Sequence, residues 1–354
     1  MTTGLLPAGF RDRLPPEADA SARLVRAVLD CVASYGYERV QTPIAEFEAS
    51  LTEALETSSR DLLRFVDPVS GETMAVRCDI TGQVGRIAKT QMAHHPRPLR
   101  LSYGGPVVHL RATQLRPDRE MMQVGAELIG LDTAAAASEI IAVAIEGLKA
   151  AGVKDITLDL TLPDLIDVLA PKGDVAALKA DLDAKNAAAV PDSFKPLIAA
   201  AGPFADALER LRAFDTGGKL ASRIAALEMI VESVPKDIRV TLDPTERHGF
   251  EYQTWLGFSL FAAGASGEIG RGGSYRIGDE AAIGFSAFID PLVDAGLAQT
   301  ERRRLFLPVG TNAKKAGQLR AEGWITVAAL SADDSAEAQI CTHILSDGKA
   351  VPVS

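Results

Sequence analysis

Two polar side chains on an otherwise apolar segment, EMMQVGAELI at 120–129, have the clearest chemical potential in this chain. Gln123 and Glu127 are four residues apart, so in an extended strand both side chains point to the same face. An amide and a carboxylate on one face can hold an ammonium group together with a second polar group. The spacing therefore predicts a recognition site and leaves open whether the site is also catalytic. The alternative is a solvated strand face, where most polar side chains lie.

The residues before this strand add positive charge. A Gly-Gly-Pro corner at 104–106 is followed by a loop that carries Arg111, Arg116 and Arg119. Arginine binds phosphate groups through paired hydrogen bonds. Taken with the polar strand that follows, the segment at 103–130 has the outline of a site for a nucleotide and an amino acid.

The hydrophobic pattern predicts the elements that must position these groups. Apolar residues at helical spacing indicate helices, and apolar runs on both sides of Gly, Pro, Asp and Ser indicate hairpins. In chain order the first predicted elements are a helix at 17–36, a short strand within 36–48, a hairpin at 63–78, a helix capped by Asp79 or Thr81, and a hairpin of strands 99–110 and 120–129.

The rest of the chain predicts further strands around a helical insertion. The elements expected there are an Ala-rich helix from Thr133 through Lys149, a strand at 155–162, short helices at about 163–235, strands at 238–243, 250–263 and 267–276, and an apolar helix near 281–297. Hairpin-linked strands with few strand–helix–strand units favour a mainly antiparallel sheet flanked by helices, an α+β fold. The pattern changes again near residue 300 and predicts a small C-terminal β-α-β-β unit. We therefore expect two domains, at 1–300 and 301–354.

Composition excludes several classes of protein. Of 354 residues, 47% are hydrophobic and 24% charged, as in ordinary globular proteins, and the net charge is −10. An acidic chain gives no electrostatic reason to expect nucleic-acid binding. Three widely spaced cysteines without a CxxC argue against disulfides or a zinc site, and no apolar stretch is long enough to span a membrane. We expect a cytoplasmic protein without a metal. The Gly-rich run at 264–278 has neither common phosphate-loop pattern and favours a hairpin turn.

The order of the motifs resembles that of class II aminoacyl-tRNA synthetases, and within them the histidyl-tRNA synthetase branch. The motif-like segments are GYERVQTP, FVDPVSGETMAVRCDITGQVGRIA, GGPVVHLRATQLRPDREMMQVGAELIG, HGFEYQT, RGGSYR and GFSAFIDPL. They occur in the family's order over about residues 1–300. The resemblance implies a class II synthetase-like domain, with GYERVQTP in a dimer interface.

Four arginine positions of that family are occupied by other residues. His109 stands in the second motif, Pro117 in its loop, His248 at the start of HGFEYQT and Pro291 in the third motif. Amino-acid adenylation needs positive groups that neutralise charge on the phosphoryl oxygens, and removal of one such donor typically costs on the order of 10²–10³ in rate. The resemblance therefore implies that adenylation is lost and that the chain has no catalytic residues.

The groups that would hold the amino acid are better preserved. By resemblance, the histidine-binding or vestigial residues are Asp79, Thr81, Gln123, Glu127, Tyr252 and Tyr275. Asp79 replaces a glutamate and keeps a carboxylate for an ammonium group. Gln253 replaces the second tyrosine of the family's pair, which changes the expected imidazole pocket. Recognition is thus expected to persist without the chemistry.

This combination resembles the regulatory subunits of ATP phosphoribosyltransferase, the first enzyme of histidine biosynthesis. The resemblance implies a non-catalytic subunit without a cofactor, which self-associates as a dimer, joins a short-form catalytic subunit in a hetero-octamer and takes histidine as effector. The segment after residue 300 is shorter than an anticodon-binding domain. Two alternatives remain open at this point: a divergent histidyl-tRNA synthetase or other adenylate-forming enzyme, and a free-standing amino-acid-binding protein.

Overall fold

The computed structural model of the chain describes residues 5–53, 62–111, 118–170, 175–247, 253–299 and 302–353. The chain forms two compact units, Met1–Ala298 and Gln299–Ser354. No helix in these described ranges is long and apolar enough to cross a membrane.

The strands of the first unit lie in two sheets. In chain order they are β1 (Glu38–Arg39), β2 (Ala45–Phe47), β3 (Leu63–Val66), β4 (Thr73–Val76), β5 (Leu99–Val108), β6 (Glu120–Ile129), β7 (Ile156–Thr161), β8 (Gly202–Pro203), β9 (Arg239–Leu242), β10 (Gly257–Ala262), β11 (Gly270–Ile277) and β12 (Glu280–Phe288). The larger sheet has the order β1-β5-β6-β12-β11-β10-β7-β9-β8, and the smaller one β2-β4-β3. Only the β1–β5 and β7–β9 pairs of the larger sheet are parallel among its described strands. The predicted mainly antiparallel α+β fold is confirmed.

Helices of the first unit are, in chain order, α1 (Glu17–Ser34), α2 (Glu48–Glu53), α3 (Thr81–Lys89), α4 (Ala134–Ala150), α5 (Leu165–Leu169), α6 (Val175–Asp183), α7 (Lys195–Ala199), α8 (Phe204–Phe214), α9 (Ala221–Ser233) and α10 (Asp290–Asp294). Helices α5 to α9 lie between β7 and β9, where the sequence predicts short helices. Thr133 caps α4 as predicted, since its side chain accepts the Ala136 N–H at 3.3 Å.

The two faces of the central sheet have different contents because strand side chains alternate. On β6, Val124, Ala126 and Leu128 belong to the main core, which includes buried residues of α1 and α4. Their neighbours Gln123 and Glu127 point to the opposite face. There α3 packs with Val84 and Ala88 against a second apolar cluster that contains Leu101, Tyr103 and Tyr275. Gln123 and Glu127 thus lie under a helix. Each is about 1% exposed, which excludes the alternative that they lie on a solvated strand face.

Three local predictions need correction. The apolar run predicted as a helix near 281–297 is mostly strand β12, followed by the short α10, because a strand buried on both faces has no alternating pattern to distinguish it from a helix. The predicted strand within 36–48 is two short strands in different sheets. Helix α3 begins after Ile80, and neither Asp79 nor Thr81 is its cap residue.

The C-terminal unit has β13 (Arg304–Leu307), α11 (Ala313–Ala321), β14 (Ile325–Ala328), β15 (His343–Ser346) and β16 (Lys349–Pro352). The strands form one sheet in the order β14-β13-β15-β16. The arrangement is β-α-β-β-β, one strand more than the predicted β-α-β-β unit, because the final hairpin contributes two strands.

Candidate functional site

A buried carboxylate is the centre of the polar face. Glu127 is about 1% exposed, and three hydroxyl groups donate to it. Thr81 Oγ1 and Tyr103 Oη each lie 3.0 Å from Oε1, and Tyr275 Oη lies 2.7 Å from Oε2. The three donors come from α3, β5 and β11, so the carboxylate joins elements that are far apart in the chain.

Gln123 lies two positions along the same face and uses both ends of its amide. Its Oε1 accepts the Ile80 N–H at 3.1 Å, and its Nε2 donates to Asp79 Oδ1 at 3.0 Å and to Ser286 Oγ at 2.6 Å. Asp79 Oδ1 also accepts the Thr81 N–H at 2.8 Å. The loop before α3 is therefore fixed on β6 through this amide, with the Asp79 carboxylate beside it.

Buried Arg77 positions this loop from the other side. Its guanidinium donates to the Pro106 carbonyl at 2.8 Å, to Thr42 Oγ1 at 2.8 Å and to Gln83 Oε1 at 3.3 Å. Burial lowers the pKa of Arg77 from its ordinary value. The hydrogen bonds tie the segment that contains Pro43 to the strand and loop that carry the polar residues.

Small residues on the neighbouring strands make room for the carboxylate. Gly284 of β12 pairs with Glu127 of β6, and a Cβ on Gly284 would overlap the Glu127 carboxylate. Gly125, between the two polar residues, pairs with both Ser286 and Tyr103, and a Cβ there would overlap the Tyr103 ring. Gly284 and Gly125 are thus required by the close approach of the Glu127 and Tyr103 side chains.

Electrostatics at this centre favour the neutral acid. The pKa of Glu127 is raised from 4.5 to about 8, chiefly because the carboxyl group is buried. The Asp79 carboxylate also acts to raise it, while the hydrogen bonds from Tyr275, Thr81 and Tyr103 act to lower it. Burial, and next the neighbouring Glu127 carboxylate, raise the pKa of Tyr103 well above 10. A positively charged or hydrogen-bond-donating ligand would stabilise the ionised form of Glu127.

A small cavity opens beside Glu127, with a volume of about 20 Å³. This is space for about one water molecule. The residues that line it are Thr81, Glu127, Gln253, Arg271, Gly272, Gly273, Tyr275, Gly284, Phe285 and Ser286. Ligand binding at this place therefore requires some lining side chains to move.

The structure brings together five of the six residues named for amino-acid binding: Asp79, Thr81, Gln123, Glu127 and Tyr275. The sixth, Tyr252, lies outside the described residues. The sequence did not indicate Tyr103 and Ser286, which belong to the hydrogen-bond network, or Arg271, which lines the cavity beside it. The signal for them is cross-strand pairing, because Tyr103 and Ser286 both pair with Gly125 and Arg271 pairs with Ser286.

Four positions carry another residue where the synthetase family has an arginine, and two of these positions lie within the described residues. His109 follows β5, and its backbone N–H donates to the Arg119 carbonyl at 2.7 Å. Pro291 lies in the first turn of α10. Within the described part of the chain, neither is among the residues that line the cavity. Pro117 and His248 lie outside the described residues.

The remaining arginines of the second hairpin have structural contacts or are not described. Arg119 lies over the Phe10 ring, 4.8 Å from its centroid, and its Nε donates to the His109 carbonyl. Arg111 is exposed, and Arg116 lies outside the described residues. Within the described ranges no group of three or more His, Cys, Asp or Glu residues could hold a metal ion.

Known proteins with similar sequences give the family. The family model for histidyl-tRNA synthetase matches residues 9–292. A protein of Paramagnetospirillum magneticum named ATP phosphoribosyltransferase regulatory subunit is 42% identical, over 96% of both chains. A protein of Rhodospirillum centenum with the same name is 40% identical, over 98% of this chain and 95% of its own.

Solved structures give the same fold. The crystal structure of an ATP phosphoribosyltransferase regulatory subunit/histidyl-tRNA synthetase from Bacillus halodurans matches with a TM-score of 0.82 at 24% identity, over 96% of each chain. Histidyl-tRNA synthetase from Nostoc sp. PCC 7120 matches with a TM-score of 0.78 at 17% identity, over 97% of this chain and 91% of its own. With a histidyl-tRNA synthetase domain and near full-length relatives at about 40% identity, the chain belongs to the family of ATP phosphoribosyltransferase regulatory subunits.

Proposed function

We propose that this chain is a non-catalytic regulatory subunit that binds a short-form ATP phosphoribosyltransferase and senses histidine in the pocket beside Glu127. It would act in the cytoplasm, at the first step of histidine biosynthesis, as part of a hetero-octamer with its own dimers as building blocks. Family membership supports the partner, and the pocket supports the effector.

One observation carries the proposal. Gln123 and Glu127 are buried with Asp79 half-buried beside them, whereas His109 and Pro291 stand where an adenylating enzyme would need arginines. Asp79 would accept the ammonium group, and Glu127 would face the imidazole. Without arginines at these two described positions, the α-phosphate of ATP would lose two preorganised partners. Among the described residues, this combination supports a site that binds an amino acid and does not activate it.

The small cavity links binding to a change of conformation. A volume of about 20 Å³ holds one water molecule and no amino acid, so histidine would favour a state in which the lining has moved. A ligand that binds one state more tightly shifts the population toward it. Arg77 joins the ligand loop to the segment around Pro43, which by family resemblance lies at the dimer interface. This connection is a route from the pocket to the subunit contacts.

The test is reconstitution with a short-form catalytic subunit. We expect the two chains to co-elute, formation of phosphoribosyl-ATP to rise on mixing, and histidine to inhibit the mixture. Glu127→Gln should weaken inhibition by histidine while co-elution persists. Glu120→Gln is the matched control, because Glu120 is an exposed residue of the same strand. The absence of both co-elution and stimulation would exclude the proposal.

A divergent histidyl-tRNA synthetase is the second candidate, favoured by the family model and the retained pocket. It predicts histidine-dependent ATP–pyrophosphate exchange by the purified chain. We expect no exchange above background. Exchange that disappears in the Glu127→Gln variant would favour the enzyme over the regulatory subunit.

A free-standing amino-acid-binding protein is the third candidate. It predicts histidine binding at full affinity by the chain alone, with no effect of a short-form catalytic subunit on that affinity. A regulatory subunit instead predicts reciprocal coupling. The partner should change the affinity for histidine by a certain factor, and histidine should change the affinity for the partner by the same factor. Calorimetry with and without the partner distinguishes the two.

A further inference from the structure

Arg271 contributes a positive charge to the pocket beside Glu127. It lies on β11 and pairs with Ser286 of β12, which pairs in turn with Gly125 of β6. Residues directly opposite one another in antiparallel strands share a face, so Arg271 lies on the same face as Gln123 and Glu127. Among the described residues that line the cavity, Arg271 is the only one with a positive charge.

Neighbouring groups hold the Arg271 side chain in place. Its guanidinium forms an ion pair with Glu268, and the two side chains are 15% and 9% exposed. Glu268 Oε1 accepts a hydrogen bond from Ser259 Oγ at 2.6 Å. The guanidinium also lies 5.8 Å from the centroid of the Phe288 ring. These contacts fix the position of the guanidinium charge relative to the sheet.

The charges of a whole amino acid require such a group. Asp79 and Glu127 can receive an ammonium group and an imidazole, but neither can supply positive charge to a carboxylate. The arginine that the synthetase family has at the start of HGFEYQT is replaced here by His248, and that of the third motif by Pro291. A guanidinium is the side chain best suited to paired hydrogen bonds with a carboxylate.

We propose that Arg271 binds the α-carboxylate of the amino acid, and that Glu268 and Ser259 position it. The inference rests on the proposed histidine site and names the group that recognises the acid end of the ligand. The pocket then selects a complete amino acid. Histamine, which has the imidazole and the amine but no carboxylate, would lose this contact and keep the others.

The test compares histidine with histamine, by calorimetry on the full-length chain. We expect unmodified protein to bind histidine at least about 10-fold more tightly than histamine. Arg271→Gln should weaken histidine binding by about 10- to 100-fold, the usual range for loss of a charged hydrogen-bond partner, and leave histamine binding within about 2-fold. Arg271→Lys should retain part of the preference, because the charge remains.

Arg276→Gln is the matched control, since Arg276 is an exposed residue of the same strand and should leave both affinities unchanged. Equal loss of both ligands in Arg271→Gln, or equal affinities in the unmodified protein, would overturn the role of Arg271. The comparison of histidine with histamine in the unmodified protein needs no variant, so it tests the role of Arg271 even if Arg271→Gln does not fold. If the unmodified protein binds histidine and the ratio persists in Arg271→Gln, only this inference fails. If it binds neither compound, with or without the catalytic partner, the proposed histidine site fails as well.

Discussion

At the scale of single residues, Glu127 is expensive to bury and is retained with three hydroxyl donors around it. Burial of an ionised carboxylate is unfavourable unless its charge is compensated, and here no positive group is among its described hydrogen-bond partners. The raised pKa of about 8 expresses this cost. A ligand that brings positive charge or N–H donors would remove part of it, which is a physical reason for a binding role.

The same shift predicts a pH dependence of stability. In the unfolded chain Glu127 loses its proton near pH 4.5, whereas in the folded chain it keeps the proton to about pH 8. Stability from this group is therefore fully present below pH 4.5 and is lost as the pH rises to about 8, by on the order of a few kcal/mol. Urea unfolding at pH 5 and pH 8.5 measures the change.

Glu127→Gln is the control for this pH dependence, because the amide does not titrate and all other groups are shared. The difference in unfolding free energy between the two pH values should be smaller in the variant. If the two proteins show the same pH dependence, Glu127 does not carry the shift.

Gly284→Ala should be destabilising because the added Cβ overlaps the Glu127 carboxylate. Such overpacking costs about 1–3 kcal/mol. Gly317→Ala is a matched substitution in α11 with no atom within 4 Å of the added Cβ, and it should stabilise by about 0.5–1 kcal/mol. Denaturant unfolding of both variants checks the opposite signs. Effects of the same sign would contradict the close approach at Gly284.

At the scale of elements, the site depends on how a loop, a hairpin and two further strands are brought together. Arg77 has a central part, since it is 4% exposed and donates to carbonyl groups from two separate segments. Gly105 lies so close that a Cβ there would overlap its guanidinium. The hairpin corner and the ligand loop therefore have a shared and tightly packed contact.

Arg77→Met should remove this connection. The freed carbonyls would be buried without donors, at a cost of about 2–4 kcal/mol, and histidine binding should weaken because Asp79 is two residues away. Arg39→Met, at an exposed residue of β1, should change stability by no more than about 0.5 kcal/mol. Denaturant unfolding and calorimetry give the two readouts. Equal effects of both substitutions would rule out a positioning role for Arg77.

At the scale of the whole molecule, the pocket belongs to the unit Met1–Ala298, so ligand stabilisation should be confined to it. A ligand at about 100 times its Kd stabilises the bound state by about 2.7 kcal/mol. With saturating histidine, hydrogen exchange should slow at amides of β6, β11 and β12 and stay unchanged in β13 to β16. Mass spectrometry of the exchanged peptides measures this. Protection restricted to the C-terminal unit would place the ligand elsewhere.

The sequence predicts much of this architecture because local signals are strong where elements begin and end. The shared face of Gln123 and Glu127 on β6, the Thr133 cap and the hairpin residues DPVSGET all follow from short-range chemistry. The prediction of a helix at strand β12 is wrong, because a continuous run of apolar residues has no hydrophobic periodicity that distinguishes a strand from a helix. Short-range patterns thus fail where an element is surrounded by protein.

By itself the sequence determined the order of the motifs, the family they indicate, and the shared face of Gln123 and Glu127, because residue spacing along one strand decides which side chains point together. Only the tertiary structure decided that Glu127 is buried under three hydroxyls and that Arg271 enters the same cavity. Two of these groups, Tyr275 and Arg271, come from a strand more than 100 residues from Glu127 in the chain. Their meeting depends on the register between β6, β12 and β11, which no local pattern contains.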